Sequence, residues 1–363
     1  MPDFKKFNDP KFLLTKKDLN KETPEVFLSC GNRGAGKTYG YSWVILENAL
    51  GRSYVSQDIL PQGKFCLICR WEKEVAGIAK GVFDAMVDNE YTDASISSVM
   101  SPDKLYANVY FNQPDCDPIH VGYVAPINKS DDIKKISSVF HDVAVMVFDE
   151  FQCASASSYV PDEVDKFIRM HISMARGGGK SSRYLPVIML SNSVSITNPY
   201  FTALRIHDKI QSNTKLLKGD SFVLERFTNP NAADEQRESG FNRAFAGSKE
   251  LDFSIDNTWL NDDSSCIAKP DGNWGRSIYY YTLVKNNEKY GVREFPGMGL
   301  WTISNSVDGS CPYIYNITND GGNLNIPMLK KSPQMKMLRE LFENGQMRFP
   351  NQGCKQVALD LFV

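Results

Sequence analysis

One short motif constrains this chain more than any other feature of its sequence. Residues 31–38 read GNRGAGKT and match the pattern GxxxxGK[ST] at every fixed position. The apolar run 26–30 precedes the motif, and apolar residues at helical spacing follow Thr38. A strand, a glycine loop and a helix in this order are typical of the phosphate-binding loop of nucleotide hydrolases. The sequence therefore predicts an α/β domain whose first strand ends at a nucleotide.

The residue types of this loop indicate its chemistry. Glycines let backbone N–H groups curl around phosphate oxygens, and the positive end of the helix dipole faces the same oxygens. We expect Lys37 to neutralise the β- and γ-phosphates and the Thr38 hydroxyl to coordinate Mg²⁺. The predicted ligands are ATP and Mg²⁺, and the predicted nucleotide-binding residues are Gly31, Asn32, Arg33, Gly34, Ala35, Gly36, Lys37, Thr38 and Tyr39.

A second apolar run ends in two acids. Residues 143–148 are six apolar residues in a row, and Asp149 and Glu150 follow them. Continuous apolarity is typical of a parallel strand buried on both faces, and such strands open at their carboxyl ends onto the ligand crevice. We predict that Asp149 is a metal ligand together with Thr38. Glu150 is then the general base that polarises the attacking water.

Two other residues are placed to contact the nucleotide. Asn192 follows the apolar run 187–190, where its amide could sense the γ-phosphate or align water. A simple turn at the end of the strand is the alternative. Arg33 lies inside the phosphate loop, where a second positive charge could reach the nucleotide in cis.

Three more arginines could take part in the reaction. Arg176 precedes the glycines 177–179, and a guanidinium beside a flexible loop suits an arginine finger offered to a neighbouring subunit. The alternative is a cation that caps the end of a helix. Arg183 is the rival finger, and Arg70 could face the nucleotide or pair with an acid. The predicted catalytic residues are Glu150, Arg176, Asn192 and Arg33.

The pattern along the chain predicts three parts. Apolar strands alternate with helices up to about residue 210, which indicates an α/β domain. Residues 229–249 are polar with little β signal, and a β pattern returns from residue 276. We predict a P-loop ATPase domain at 1–210, a helical linker or lid at 211–249, and a small α+β domain at 250–363. A helix is predicted at 161–175, with one apolar face formed by Val164, Phe167, Ile168 and Ile172.

Composition excludes several classes of protein. The net charge is −2, whereas proteins that coat DNA usually carry a strong basic excess. Any contact with DNA must therefore be local or shared among subunits. The 363 residues contain no apolar run of about 18 residues that could span a membrane, and the first residues do not resemble a secretory signal. Cys66 and Cys69 face opposite sides of a predicted strand, so we expect free thiols rather than a metal site.

Several longer segments resemble a known family. They read GNRGAGKT, FCLICRWEKE, GYVAPIN, VMVFDEF, MLSNSVSITNPYF and ENGQMRFPNQGCKQVALDLF. In these segments the chain resembles the packaging ATPases of small, protein-primed, short-tailed bacteriophages, which are distant relatives of the large terminases. The resemblance spans nearly the whole chain and is weakest at 211–275.

The resemblance implies an architecture and a function. The implied ATPase domain is a P-loop sheet of the additional-strand (ASCE) type, with the LSN strand between the two phosphate-site strands. The implied assembly is a homo-oligomeric ring, expected to be a pentamer, which docks on the portal protein directly or through a structural RNA. It would drive double-stranded DNA into a preformed capsid in the host cytoplasm, at the portal vertex.

The resemblance also assigns residues. It places the trans finger at Arg176, and at Ile136 it places a trans-acting lysine that this chain lacks, with Lys134 and Lys135 adjacent. It implies an RNase H-like nuclease fold for the C-terminal domain. Nucleases of that class need clustered carboxylates on their first strands, and the run 277–284 has none. We therefore predict a degenerate nuclease domain that binds DNA, RNA or the portal.

Other functions remain open from the sequence. A helicase or another DNA translocase would separate strands, which a packaging motor does not do. A nucleotide-gated scaffold would bind ATP with negligible turnover, and Glu150 argues against it. An active terminase nuclease would cleave plasmid DNA in the presence of metal.

Overall fold

The computed structural model describes residues 1–4, 7–153, 158–176, 182–207, 209–210, 214–257, 265–285, 288–317 and 332–362. The chain forms two compact units. The first consists of Met1–Ser195 with Gln211–Asn261, and the second of Ile196–Ile210 with Asp262–Val363. Within the described residues, no helix is long and apolar enough to cross a membrane.

A nine-stranded sheet forms the centre of the first unit, in the order β3-β4-β5-β2-β6-β7-β1-β9-β8. The six strands from β5 to β9 in this order run parallel, and antiparallel strands complete both edges. The strands are β1 (Val26–Gly31), β2 (Lys64–Cys69), β3 (Ser95–Met100), β4 (Ala107–Asn112), β5 (Ile119–Pro126), β6 (Val143–Asp149), β7 (Val187–Ser191), β8 (Leu216–Lys218) and β9 (Phe222–Phe227).

The predicted order of the three central strands is confirmed. Strand β7 pairs with β1 on one side and with β6 on the other, so an additional strand separates the phosphate loop from the two acids. Five of the six residues of β1, six of the seven of β6 and all five of β7 are buried, as expected for parallel strands that are covered on both faces. The carboxyl ends of all three strands meet at one edge.

Helices connect these strands. Those of the first unit are α1 (Pro10–Leu14), α2 (Lys37–Ala49), α3 (Ile78–Glu90), α4 (Ser130–Lys135), α5 (Glu163–Met174), α7 (Pro230–Glu238), α8 (Gly240–Ala244) and α9 (Lys249–Asp256). The predicted apolar face of α5 is wrong in part. Ile168 and Ile172 are 46% and 45% exposed. The buried face is instead formed by Phe167, Met170 and Met174, together with the polar Glu163 and Ser173.

The second unit is α+β, as predicted. Its sheet has the order β13-β10-β11-β12-β14, in which β10, β11 and β12 are antiparallel while β13 runs parallel to β10 and β14 to β12. The elements are α6 (Pro199–Ala203), β10 (Ile278–Lys285), β11 (Glu288–Phe295), β12 (Leu300–Ser304), β13 (Ile314–Asn316), α10 (Pro333–Glu343), β14 (Met347–Arg348) and α11 (Gln352–Phe362).

The boundaries of the two units differ from the predicted boundaries at 210 and 249. Residues 211–249 are not only a helical linker, because they include β8 and β9, and β9 pairs with β1 along its whole length. Helices α7 and α8 and the start of α9 fall in the predicted helical stretch. Residues 196–210, predicted to belong to the ATPase domain, are part of the second unit. The roles of the parts remain predictions.

Candidate nucleotide-binding site

The loop between β1 and α2 has the geometry that glycine allows. Gly34 and Gly36 have φ angles of +71° and +76°, in the left-handed region that other residues seldom adopt. A Cβ atom on Gly36 would lie 2.5 Å from the Phe7 ring, and one on Gly34 would lie 2.7 Å from the Gln236 amide nitrogen. Conformation and space therefore both require glycine at these positions.

Lys37 lies at the first position of α2 and is buried, with 8% of its surface exposed. Its Nζ atom donates hydrogen bonds to the carbonyl oxygens of Gly31 and Asn32, at 3.0 and 2.9 Å, and to Asn192 Oδ1 at 3.2 Å. Burial lowers the pKa of Lys37 to about 8. The ammonium group is thus held by neutral oxygens of the loop and of Asn192, where a phosphate can add the missing negative charge.

Thr38 and Asp149 meet as the motif predicts. The Thr38 hydroxyl donates a hydrogen bond of 2.8 Å to Asp149 Oδ2, although the two residues are far apart in sequence. Burial raises the pKa of Asp149 to about 6, against the lowering effect of this hydrogen bond. A hydroxyl and a carboxylate are hard oxygen ligands of the kind that Mg²⁺ binds, so these residues fit the ion.

Glu150 is exposed at the end of β6 in an unusual backbone conformation. Its φ angle is +55°, and its amide donates a hydrogen bond of 3.0 Å to Asp149 Oδ1. Glu150 lines the same cavity as the phosphate loop. This cavity has a volume of about 560 Å³ and is lined by Arg33, Gly34, Ala35, Gly36, Lys37, Thr38, Asp149, Glu150, Ser191 and Asn192.

Three of the predicted nucleotide-binding residues do not line the cavity. Gly31 and Asn32 act instead through their carbonyl oxygens, which accept hydrogen bonds from Lys37. The Asn32 side chain accepts a hydrogen bond of 2.9 Å from the amide of Asn229. The Tyr39 side chain stacks on Phe7 with ring centroids 4.8 Å apart and donates a hydrogen bond to Glu90.

The N-terminal segment contributes to the site in a way that no motif indicated. The Asn8 amide donates a hydrogen bond of 3.0 Å to the carbonyl of Ala35 in the phosphate loop. The Asn8 side chain donates to Glu225 of β9, a buried carboxylate that also accepts from Ser29 and Tyr41. Burial raises the pKa of Glu225. A polar cluster thus joins the N-terminal segment, the loop and β9.

The candidate arginines fall in different places. Arg33 lines the cavity, and its guanidinium lies 5.8 Å from the Phe253 ring centroid. Arg70 does not line the cavity but pairs with an acid, Glu163, at 3.1 Å. This is the second of the two roles that the sequence allowed for Arg70.

Arg183 caps helix α5. Its amide donates to the carbonyl of Ala175 at 2.9 Å, and its Nη2 donates to that of Met174 at 3.1 Å. Arg176 is exposed and does not line the cavity of its own chain. The arginine that caps α5 and the exposed arginine are therefore different residues. The glycines 177–179 lie outside the described residues.

The strand order, the phosphate loop and the two acids at one sheet edge define an additional-strand P-loop nucleotide-binding domain. The family model described as Podovirus DNA encapsidation protein (Gp16) matches residues 6–363, and the chain belongs to that family.

Individual relatives agree with this assignment. The DNA packaging protein of Bacillus phage phi29 is 26% identical over 331 residues, which are 88% of this chain and 92% of that protein. The DNA packaging protein of Bacillus phage B103 is 28% identical over 232 residues, which are 62% of this chain and 69% of that protein.

Solved structures show the same fold. The structure described as the bacteriophage Phi-29 viral genome packaging motor assembly matches with a TM-score of 0.68 at 22% identity, covering 98% of both chains. A structure described as the Phi-28 gp11 DNA packaging motor matches with a TM-score of 0.56 at 15% identity, covering 98% of this chain and 97% of that one.

Proposed function

We propose that this protein is an ATP-hydrolysing motor that moves double-stranded viral DNA into a preformed capsid. The observation that supports it most is the position of Glu150 on the cavity that contains Lys37, Thr38 and Asp149. A protein that only binds nucleotide has little need for a second acid there, whereas hydrolysis needs a base for water. Membership of the DNA encapsidation family supports the choice of DNA as the substrate that moves.

Each side chain has a role in this proposal. Thr38 and Asp149 would hold Mg²⁺, which would supply positive charge to the phosphates of bound ATP. Lys37 binds the β- and γ-phosphate oxygens. Glu150 accepts the proton of the attacking water. Asn192 already shares a hydrogen bond with Lys37, so its amide lies where the γ-phosphate is expected.

We expect the chain to hydrolyse ATP over many turnovers, at a rate that depends on DNA. The test is phosphate release by the purified chain with and without duplex DNA, together with strand separation of a forked duplex. A motor of this class should hydrolyse ATP faster with duplex DNA and separate no strands. Strand separation would favour the helicase alternative, and tight ATP binding without turnover would favour the scaffold.

We further propose that Arg176 acts in trans within a pentameric ring. The ring would dock at the portal vertex in the host cytoplasm, on the portal protein or a structural RNA. The support is that Arg176 is exposed while Arg183 caps α5. A guanidinium offered by a neighbour would stabilise charge on the transferring phosphoryl group, an effect worth about 10³ to 10⁵ in rate in enzymes of this type.

Mixing two inactive variants should restore activity if Arg176 acts in trans. Arg176→Ala chains keep Glu150 but lack the finger, and Glu150→Gln chains keep the finger but lack the base. In mixed rings, some sites combine an intact Glu150 with a neighbour's Arg176, so ATP hydrolysis should partly return. Phosphate release is measured over a series of mixing ratios.

The control for this mixture is wild-type protein added to each variant separately. A mixture that stays inactive while wild-type protein restores activity would place Arg176 in cis or limit it to a structural role. Arg183→Ala is the matched arginine variant. We expect Arg183→Ala to lower the stability of α5. When it is mixed with Glu150→Gln, it should give the same ATP hydrolysis as a mixture of wild-type protein with Glu150→Gln.

We propose that the second unit is a degenerate RNase H-like domain that binds nucleic acid or the portal without cutting. Strand β10 carries no carboxylate, and within the described residues no group of three or more His, Cys, Asp or Glu side chains could hold a metal. The full chain incubated with supercoiled plasmid and Mn²⁺ should therefore leave the plasmid intact. Nicking that disappears when Glu294 is changed to Gln would contradict this proposal.

A further inference from the structure

The guanidinium of Arg70 binds the main-chain carbonyls of two consecutive residues, Glu150 and Phe151. Arg70 comes directly after β2, which is a neighbour of β6 in the sheet. Its Nη1 donates a hydrogen bond of 2.8 Å to the carbonyl of Glu150, and its Nη2 donates one of 2.6 Å to the carbonyl of Phe151. Two consecutive carbonyl groups are thus fixed by one planar group.

The remaining nitrogen of the same guanidinium, Nε, also has a hydrogen-bond partner. Its Nε donates a hydrogen bond of 3.1 Å to Glu163 Oε2, and the side chains of Arg70 and Glu163 are 11% and 1% exposed. The amide of Val160 donates to the same carboxylate oxygen at 2.8 Å. Glu163 begins α5, so the anchor belongs to a regular element with a fixed position.

Aromatic rings restrict the guanidinium further. Its central carbon lies 4.9 Å from the Phe148 ring centroid and 5.2 Å from that of Tyr159. Arginine alone combines a planar fork of donors with a face that stacks on aromatic rings. Lysine carries its donors on one atom and could not reach all three acceptors in this geometry.

We propose that Arg70 is a positioning residue for Glu150. Glu150 has a left-handed φ angle of +55°, which a non-glycine residue keeps only when its surroundings impose it. The hydrogen bonds to the Glu150 and Phe151 carbonyls impose it here, and Glu150 lines the nucleotide cavity in this conformation. The inference rests on the proposed role of Glu150 as the base.

The test separates turnover from nucleotide binding. Arg70→Lys keeps the charge and loses the fork, and Arg70→Ala loses both. Because misplacing a catalytic group by about 1 Å can cost about 10²-fold in rate, we expect kcat for ATP to fall about 10²-fold in Arg70→Lys. The affinity for a fluorescent, non-hydrolysable ATP analogue should stay unchanged, since Arg70 does not line the cavity.

Two further variants complete the experiment. Glu163→Ala should lower kcat in the same way, and the Arg70→Ala/Glu163→Ala double variant should be no slower than Arg70→Ala, because the two residues act as one unit. Arg52→Ala is the matched control, since Arg52 is an exposed arginine that pairs with Glu47 away from the site. It should keep wild-type turnover.

Each outcome decides the inference. Loss of kcat with unchanged analogue affinity supports it. Wild-type kcat in Arg70→Lys, or a parallel loss of kcat and of analogue affinity, overturns it, because a purely structural defect lowers both. If Arg70→Ala does not fold, Arg70→Lys and Glu163→Gln decide in the same way. A wild-type chain without ATPase activity would instead refute the proposed function.

Discussion

Changing Glu150 to glutamine is expected to stop ATP hydrolysis while nucleotide binding stays intact. The amide is nearly isosteric with the carboxylate but cannot accept a proton from water. General-base catalysis contributes about 10² to 10⁴ in rate, and we expect kcat to fall by this factor. Steady-state phosphate release measures turnover, and titration with a fluorescent ATP analogue measures binding.

The control for this variant is another glutamate of the same unit. Glu72 is 43% exposed and pairs with Lys129 at 3.2 Å, and it does not line the cavity. Glu72→Gln should hydrolyse ATP at the wild-type rate. If Glu150→Gln fails to bind the analogue, Glu150 is a metal ligand or a structural residue, and the roles assigned to Asp149 and Glu150 are wrong.

Changing Lys37 to alanine is expected to abolish hydrolysis and also to weaken ATP binding. The ammonium group is the buried charge of the phosphate loop, and its loss leaves the phosphates without their main neutralising partner. A hydrogen bond to a charged group contributes about 1.5–3 kcal/mol, so the Kd for ATP should rise by about 10- to 10²-fold. Isothermal titration with Mg²⁺ and ATP gives this constant.

Lys80→Ala is the matched control for this variant. Lys80 is 74% exposed and faces Asp84 one turn along α3, so its removal should change neither binding nor turnover. Near wild-type hydrolysis by Lys37→Ala would contradict the assignment of the phosphate loop. Lys37→Ala and Glu150→Gln together separate ATP binding from ATP hydrolysis, since both should lose hydrolysis but only Lys37→Ala should lower the affinity for ATP.

The central strands were predictable because their sequences carry a strong local signal. Strands β6 and β7 are continuous apolar runs up to their last residue, and β1 is apolar apart from Ser29 and its final glycine. Burial on both faces of a parallel sheet favours such runs. Strand β9 lies next to β1 but contains Glu225 and Arg226, which hid it among polar residues. Its buried acid is satisfied by Asn8, Ser29 and Tyr41, and no local pattern reports partners so distant in sequence.

The same distinction applies to the site. The phosphate loop and the two acids at the end of β6 were predictable because each is a contiguous motif with a required position in the fold. The partners of Arg70 could not be predicted, because Glu150 lies 80 residues away and Glu163 lies 93 residues away. The sequence likewise could not predict that Arg183 is the arginine that caps α5, because this contact is a property of the folded chain.

The apolar face of α5 shows how a helical pattern misleads. Val164, Phe167, Ile168 and Ile172 have the spacing of one face, yet Ile168 and Ile172 are exposed. The buried face instead includes Glu163, whose carboxylate pairs with Arg70. Hydrophobic spacing alone does not report such a buried ion pair.

The most direct test of the central claim measures DNA inside capsids. Purified chain, portal-bearing capsids, duplex DNA and ATP are combined, and DNA that resists DNase is measured. The proposed function predicts resistant DNA with the wild-type chain and ATP, and none with Glu150→Gln, which still binds ATP. Equal protection by Glu150→Gln, or ATP hydrolysis by the wild-type chain without any protected DNA, would contradict the assignment of this protein as the packaging motor.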